Sequence, residues 1–143
     1  MTDPDRVPAA LAARIQSEPW AQHLGLEYLA LERGYCRVAL TLKPEMVNYQ
    51  GYAHGGVVFS LADVAFGAAC NSHGEVAVAL TMSISFLAAV RPGARLVAEA
   101  RVRKQGRRAG FYDVTVTGED STVVAVLHCV AHRVSPVPSR RVE

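Results

Sequence analysis

The chain has 143 residues, with 15 Lys and Arg against 13 Asp and Glu, 5 His, 3 Cys, and 50% hydrophobic residues. That length suits one domain whose core needs no disulfide or metal staple, and the apolar content excludes a disordered chain. A formal net charge of +2 gives no reason to expect nucleic acid as a partner. Cys36, Cys70 and Cys129 are odd in number and far apart. Without a CxxC or a Cys/His cluster, neither a disulfide framework nor a metal site is expected, and the thiols read as reduced and buried in a cytoplasmic protein.

The opening MTDPDRVPAALAARIQ lacks the apolar core of a secretory signal. Val7 to Ser17 has helical spacing, with Leu11 and Ile15 four apart and Asp5 as the expected cap before Pro8. Pro19 ends that helix, and Trp20 to Leu24 adds a turn closed by Gly25. Leu26 to Glu32 and Tyr35 to Leu42 read as strands around Arg33-Gly34, and Lys43 to Ala53 as a loop.

His54 to Gly74 follows, opening with two glycines and apolar on nearly every side, so the spacing predicts a helix enclosed by protein. Its apolar run, Gly55 to Cys70, holds Ser60 and Asp63 and is too short to cross a membrane, so no membrane partner is expected. Val76 to Ala88, Ala94 to Lys104, Arg108 to Thr117 and Thr122 to Val134 read as four strands. Breaks at Arg91-Pro92-Gly93, Gln105-Gly106 and Gly118-Glu119-Asp120 suit antiparallel connections. One curved antiparallel sheet around a central helix, an α+β fold, accounts for the order. A single domain over 1–143 is expected, with its first helix within 1–18 and a flexible tail over 135–143.

Asp63 is the sharpest chemical signal. A carboxylate amid apolar helix residues costs several kcal/mol in order of magnitude unless it is paired or its pKa rises. Its bland alternative is a carboxylate satisfied by buried backbone or by Ser60. His54-Gly55-Gly56 supplies first-turn amides without intrahelical acceptors, and glycine lets a substrate carbonyl come close. The competing reading is an ordinary tight turn with His54 as a cap. Gly55 and Asp63 are eight residues apart, which places them about 12 Å from each other along one helix. One reacting carbon cannot touch both. Either they serve different sites, or an antiparallel copy of the helix from a second subunit completes each site.

Lys104, Arg107 and Arg108 form the most exposed part of a basic stretch that suits a phosphorylated ligand. Arg95, Arg101 and Arg103 read as a solvated outer sheet face. His128 reads as a satisfied core or interface histidine, and His132 and Arg133 as exposed.

The ordered set Asn48, His54-Gly55-Gly56, Phe59-Ser60-Leu61-Ala62-Asp63, Ala68-Ala69-Cys70-Asn71 and Ala77-Val78 resembles the hotdog-fold acyl-CoA thioesterases. The likeness is greatest to the phenylacetic acid degradation type and covers roughly residues 20–134; Arg91-Pro92-Gly93, Val102 to Gly106 and Tyr112-Asp113-Val114 extend it. The resemblance implies a homodimer paired by edge strands, with dimers joined into a homotetramer. It implies hydrolysis of an acyl-CoA, phenylacetyl-CoA or hydroxyphenylacetyl-CoA, with no cofactor besides the coenzyme A of the substrate. Asp63 would be general base or nucleophile, and Gly55 of the partner chain would polarise the thioester carbonyl, with Gly56 beside it. Asn48 and His54 would line and order the site. Relatives with a hydroxyl after the helix have Ala79 in its place here, with Thr81 the nearest hydroxyl on that strand face. Phe66 is the expected wall of the acyl pocket, and Lys104, Arg107 and Arg108 the expected contacts of the CoA phosphates. A hotdog hydratase or dehydratase using His54 and Asp63, and a non-catalytic acyl-CoA-binding module, are the rival readings.

Overall fold

In the computed structural model, which describes residues 3–134, the stretches with strand periodicity pair into one six-stranded antiparallel sheet. The elements are α1 (Ala9–Gln16), α2 (Pro19–Leu24), β1 (Glu27–Glu32), β2 (Tyr35–Thr41), α3 (Gly55–Asn71), β3 (Ala77–Phe86), β4 (Arg95–Gln105), β5 (Ala109–Thr117) and β6 (Val123–Arg133). Short 3-10 turns occupy Pro44–Met46 and Glu119–Ser121. The spatial order is β1-β2-β4-β5-β6-β3. The expected tail over 135–143 lies outside the described residues.

Alternation explains which side chains enter the core. In β4, Leu96, Ala98 and Ala100 are buried and face α3, while Arg95, Arg101 and Arg103 face outward. Outward charges are paired across strands: Arg95 with Glu27 at 3.1 Å and Arg103 with Asp113. His128 belongs to this outer face, not to the core. It is opposite Asp113 in the register, and the two side chains meet at 2.9 Å. Arg133, expected to be exposed, instead has a largely buried side chain near Glu75.

α3 fills the concave side of the sheet, with Leu61, Ala62, Ala65, Phe66 and Ala69 buried against it. The enclosure is incomplete. Gly56, Phe59, Ser60, Asp63, Gly67 and Asn71 recur at helical spacing and keep a partly or fully open stripe. A helix expected to be surrounded on all sides therefore has one uncovered side in the single chain. β3 is similarly incomplete, since one of its edges pairs with β6 and the other with no strand among the described residues. Val78, Leu80 and Phe86 on this edge strand are exposed, which is the kind of edge that natural proteins cover or pair.

The expected Asp5 cap does not form. Pro8 occupies the N-cap of α1, without a side-chain bond. The carbonyl of Asp5 instead accepts the Arg33 N–H at 2.8 Å, tying the leading segment to the β1–β2 turn. Pro19 opens α2 at a position where its missing N–H costs nothing, and Gly25, at φ 71°, closes it.

Candidate active site

The start of α3 is built by the sequence His54-Gly55-Gly56. His54 is the N-cap, and its Nδ1 accepts the Gly56 N–H at 2.9 Å. The His54 carbonyl accepts the amides of Val57 and Val58. Among the described residues the Gly55 N–H has no acceptor. The cap thus spends the amide of Gly56 and leaves that of Gly55 free at the positive end of the helix. A Cβ on Gly55 would lie 3.3 Å from the Phe86 ring, so glycine also allows the end of β3 to close against the helix start.

Asn48 organises the loop leading into this turn. Its Oδ1 accepts the Gln50 and Tyr52 amides at 3.0 and 3.2 Å, and its own N–H reaches the Tyr52 carbonyl. A cavity of about 400 Å³ opens beside it, lined by Asn48, Tyr52, Gly55, Phe86 and Val90 among others. Arg91 stands over the Tyr52 ring at 5.0 Å.

Asp63 lies two turns further along α3, on the open stripe. It is half-buried, and among the described residues its carboxylate has neither a hydrogen-bond donor nor an ion-pair partner. Burial alone pushes its pKa above the ordinary carboxylate value. Glu18, at the N-cap of α2, is raised as well, first by burial and then by the negative charge of Asp63. Sequence spacing gives no hint of that second carboxyl, since 45 residues separate the two and only the packing of the leading helices on α3 brings them near.

Several expected site residues sit elsewhere. Phe66 is 1% exposed and packs edge-on against Tyr112 at 5.5 Å between ring centres. It belongs to the core face of α3 and cannot wall a pocket on the open stripe. Thr81 is displaced by a bulge: Ala79 is opposite Ala131 and Thr81 opposite Val130, so Leu80 is an extra residue. The insertion breaks the alternation. Ala79 stays on the face that looks towards α3, whereas Thr81 turns to the outer face, away from Asp63. Lys104, Arg107 and Arg108 are exposed at the β4–β5 hairpin. Contacts of Gly34 with Val102 and His73 put this hairpin at the C-terminal end of α3, about 25 Å from Gly55 along the helix. In one chain, basic cluster and free amide are therefore at opposite ends.

An antiparallel sheet closed over one long helix, with an unpartnered acid on that helix and a free amide at its start, defines a hotdog-fold enzyme. The thioesterase superfamily matches residues 50–125. Over 122 residues the chain is 37% identical to the acyl-coenzyme A thioesterase PaaI of Escherichia coli, covering 85% of this chain and 87% of that protein. The structure of E. coli PaaI, from the phenylacetic acid degradation operon, superposes with a TM-score of 0.84 at 35% identity, over 88% of this chain and 95% of that one. A Streptococcus mutans protein bound to acetyl-CoA superposes at 0.73 with 31% identity, covering 76% and 87%. The chain belongs to the thioesterase superfamily, and it is a thioester hydrolase of PaaI-like build. Among the described residues no helix is long and apolar enough to cross a membrane.

Proposed function

We propose that this enzyme hydrolyses an acyl-CoA, an arylacetyl-CoA in particular, at a site shared by two copies of the chain. The observation that carries this reading is the half-buried, unpartnered Asp63 carboxylate on the open stripe of α3. Gly55 and Asp63 of one chain are about 12 Å apart, too far for one thioester carbon to touch both. A two-fold dimer formed along the unpaired edge of β3 sets two α3 helices antiparallel and brings each Gly55 towards the other chain's Asp63. The same operation moves the basic hairpin of one chain towards the Gly55 cavity of its partner, because each lies at one end of its own β3 and α3. Lys104, Arg107 and Arg108 then reach the CoA phosphates, and the pantetheine arm runs through the cavity beside Asn48 and Gly55.

Asp63 acts as general base on water. Its raised proton affinity suits it to take the proton as the water oxygen attacks the thioester carbon. Negative charge developing on the carbonyl oxygen meets the partner subunit's Gly55 N–H. Collapse of the tetrahedral intermediate breaks the C–S bond, and the proton held by Asp63 goes to the departing thiolate, giving free acid and CoA. Asn48 and His54 hold the loop and the helix start in place. The similarity to PaaI, named for phenylacetic acid degradation, supports an arylacetyl group as substrate. A thiol-release assay over a panel of acyl-CoAs tests the reading: phenylacetyl-CoA should be cleaved, and cleavage should collapse in Asp63→Asn. Failure to release CoA from any ester would overturn it.

A further inference from the structure

A second feature of α3 is left unexplained by that chemistry. Gly67 sits in the middle of the helix, where glycine is a poor choice for the backbone, and a Cβ there would meet nothing within 4 Å. Nothing among the described residues requires the missing side chain. Gly67 forms part of a groove of about 350 Å³ between α1 and the C-terminal half of α3, with Leu11, Ile15 and Ala68 as apolar walls and Glu18 on its lining. Gly67 follows Asp63 by one helical turn on the same face, about 6 Å along the axis. The nearby Asn71 amide is fully engaged with the Gly67 carbonyl and with both backbone groups of Ala77, so it braces the floor and offers nothing to a ligand. The Glu18 carboxylate, in contrast, has no hydrogen-bond or ion-pair partner among the described residues.

Resting on the acyl-CoA reading above, we infer that this groove seats the acyl group of the ester bound at Asp63 of the same chain, with Gly67 setting its depth. A thioester carbon beside Asp63 points its acyl substituent either back towards the CoA arm or onward along the open stripe, and the groove begins one turn onward. From Gly67 to Asn71, the last residue of α3, is about 6 Å along the axis, and the groove continues past it to Gly74 and Val76. A ring-sized or short aliphatic acyl group fits that span with apolar walls on both sides. Arg14, Glu18 and Glu75 also line the groove, and Glu75 is paired with Arg133 at 3.5 Å, so the lining carries no uniform charge.

The test is the ratio of kcat/KM for phenylacetyl-CoA to that for acetyl-CoA, whose methyl group does not reach Gly67. Gly67→Leu fills the floor, and Leu11→Trp fills the groove from α1 without altering α3. Each should lower the ratio more than tenfold. Light scattering and circular dichroism identify variants that keep assembly and fold. If Gly67→Leu loses either, because a partner helix needs the glycine, Leu11→Trp decides. A phenylacetyl-to-acetyl ratio within threefold of wild type in the folded variants overturns the seat. Wild-type enzyme inert towards both esters would overturn the acyl-CoA reading itself, a distinct result.

Discussion

Asp63 and Asp113 are the same residue type in opposite surroundings. Asp113 lies on the outer face of the sheet, where Arg103 and His128 each reach one of its oxygens. The hydrogen bond from Arg103 is the largest influence on it and, with that from His128, holds its carboxyl below the ordinary range. Asp63, on the open stripe of α3, has no such donor, and desolvation raises it. An acid that a fold uses only to join strands is given partners. An acid left half-buried without them destabilises the chain that holds it, which makes Asp63 the candidate working group.

The contrast can be broken in order of size. Asp63→Asn should cut kcat on acyl-CoA by roughly 10²–10⁴-fold, the usual range for losing a general base, whereas Asp113→Asn should leave turnover within about twofold of wild type. Steady-state kinetics on both variants decides, and equal losses would dissolve the distinction. Gly55→Pro removes one N–H from a first-turn position whose backbone accepts proline, and Gly55→Ala, which keeps the N–H but places the same Cβ 3.3 Å from the Phe86 ring, controls for the crowding. The proline variant should lower kcat by about 10²–10³-fold with helicity unchanged. Neutralising Arg107 and Arg108 together should raise KM for CoA esters about tenfold and leave KM for a pantetheine-truncated ester nearly unmoved. Equal changes for both esters would detach the hairpin from the phosphates.

Stability should respond with opposite signs. The folded-state pKa of Asp63 is raised, so its neutral form favours folding and that advantage is lost as pH rises through the folded value. At neutral pH Asp63→Asn should therefore melt higher than wild type, with the gain vanishing in acid. Asp113 has a lowered folded-state pKa, so its contribution is present above the ordinary value and is lost as pH falls below it. Asp113→Asn should cost roughly 0–1 kcal/mol at neutral pH, as exposed ion pairs do. The catalytic acid limb follows the same logic: kcat/KM should fall as pH drops through an apparent pKa above 3.8.

Much of this architecture could be read from the residues. Period-two alternation in Ala94 to Lys104 gives an outward-charged strand, as found, whereas Thr122 to Ala131, apolar on both faces in sequence, is buried on one face and open on the other at His128. Two glycines after His54 mark the start of α3, and the carboxylate in an apolar run marks Asp63. Facing was harder. A helix apolar on nearly every side does not reveal which apolar residue meets the sheet, so Phe66 could be mistaken for a pocket wall. Strand alternation places Thr81 beside Ala79 only if no residue is inserted, and the Leu80 bulge has no local signature of glycine or proline. His128 lies among apolar neighbours in sequence yet faces outward, where Asp113 on the preceding strand β5 stands opposite it in register and supplies its partner. Glu18 and Gly67 acquire meaning only when α1 and α2 lie against α3.

The shared site can be tested by mixing two crippled chains. Asp63→Asn and Gly55→Pro protomers, each nearly inactive alone, should regain about a quarter of wild-type activity when coexpressed, since random pairing makes half the dimers mixed and each mixed dimer holds one intact site. Mixed dimers verified by native mass spectrometry that recover no thiol release would contradict a site built from one chain's acid and its partner's amide.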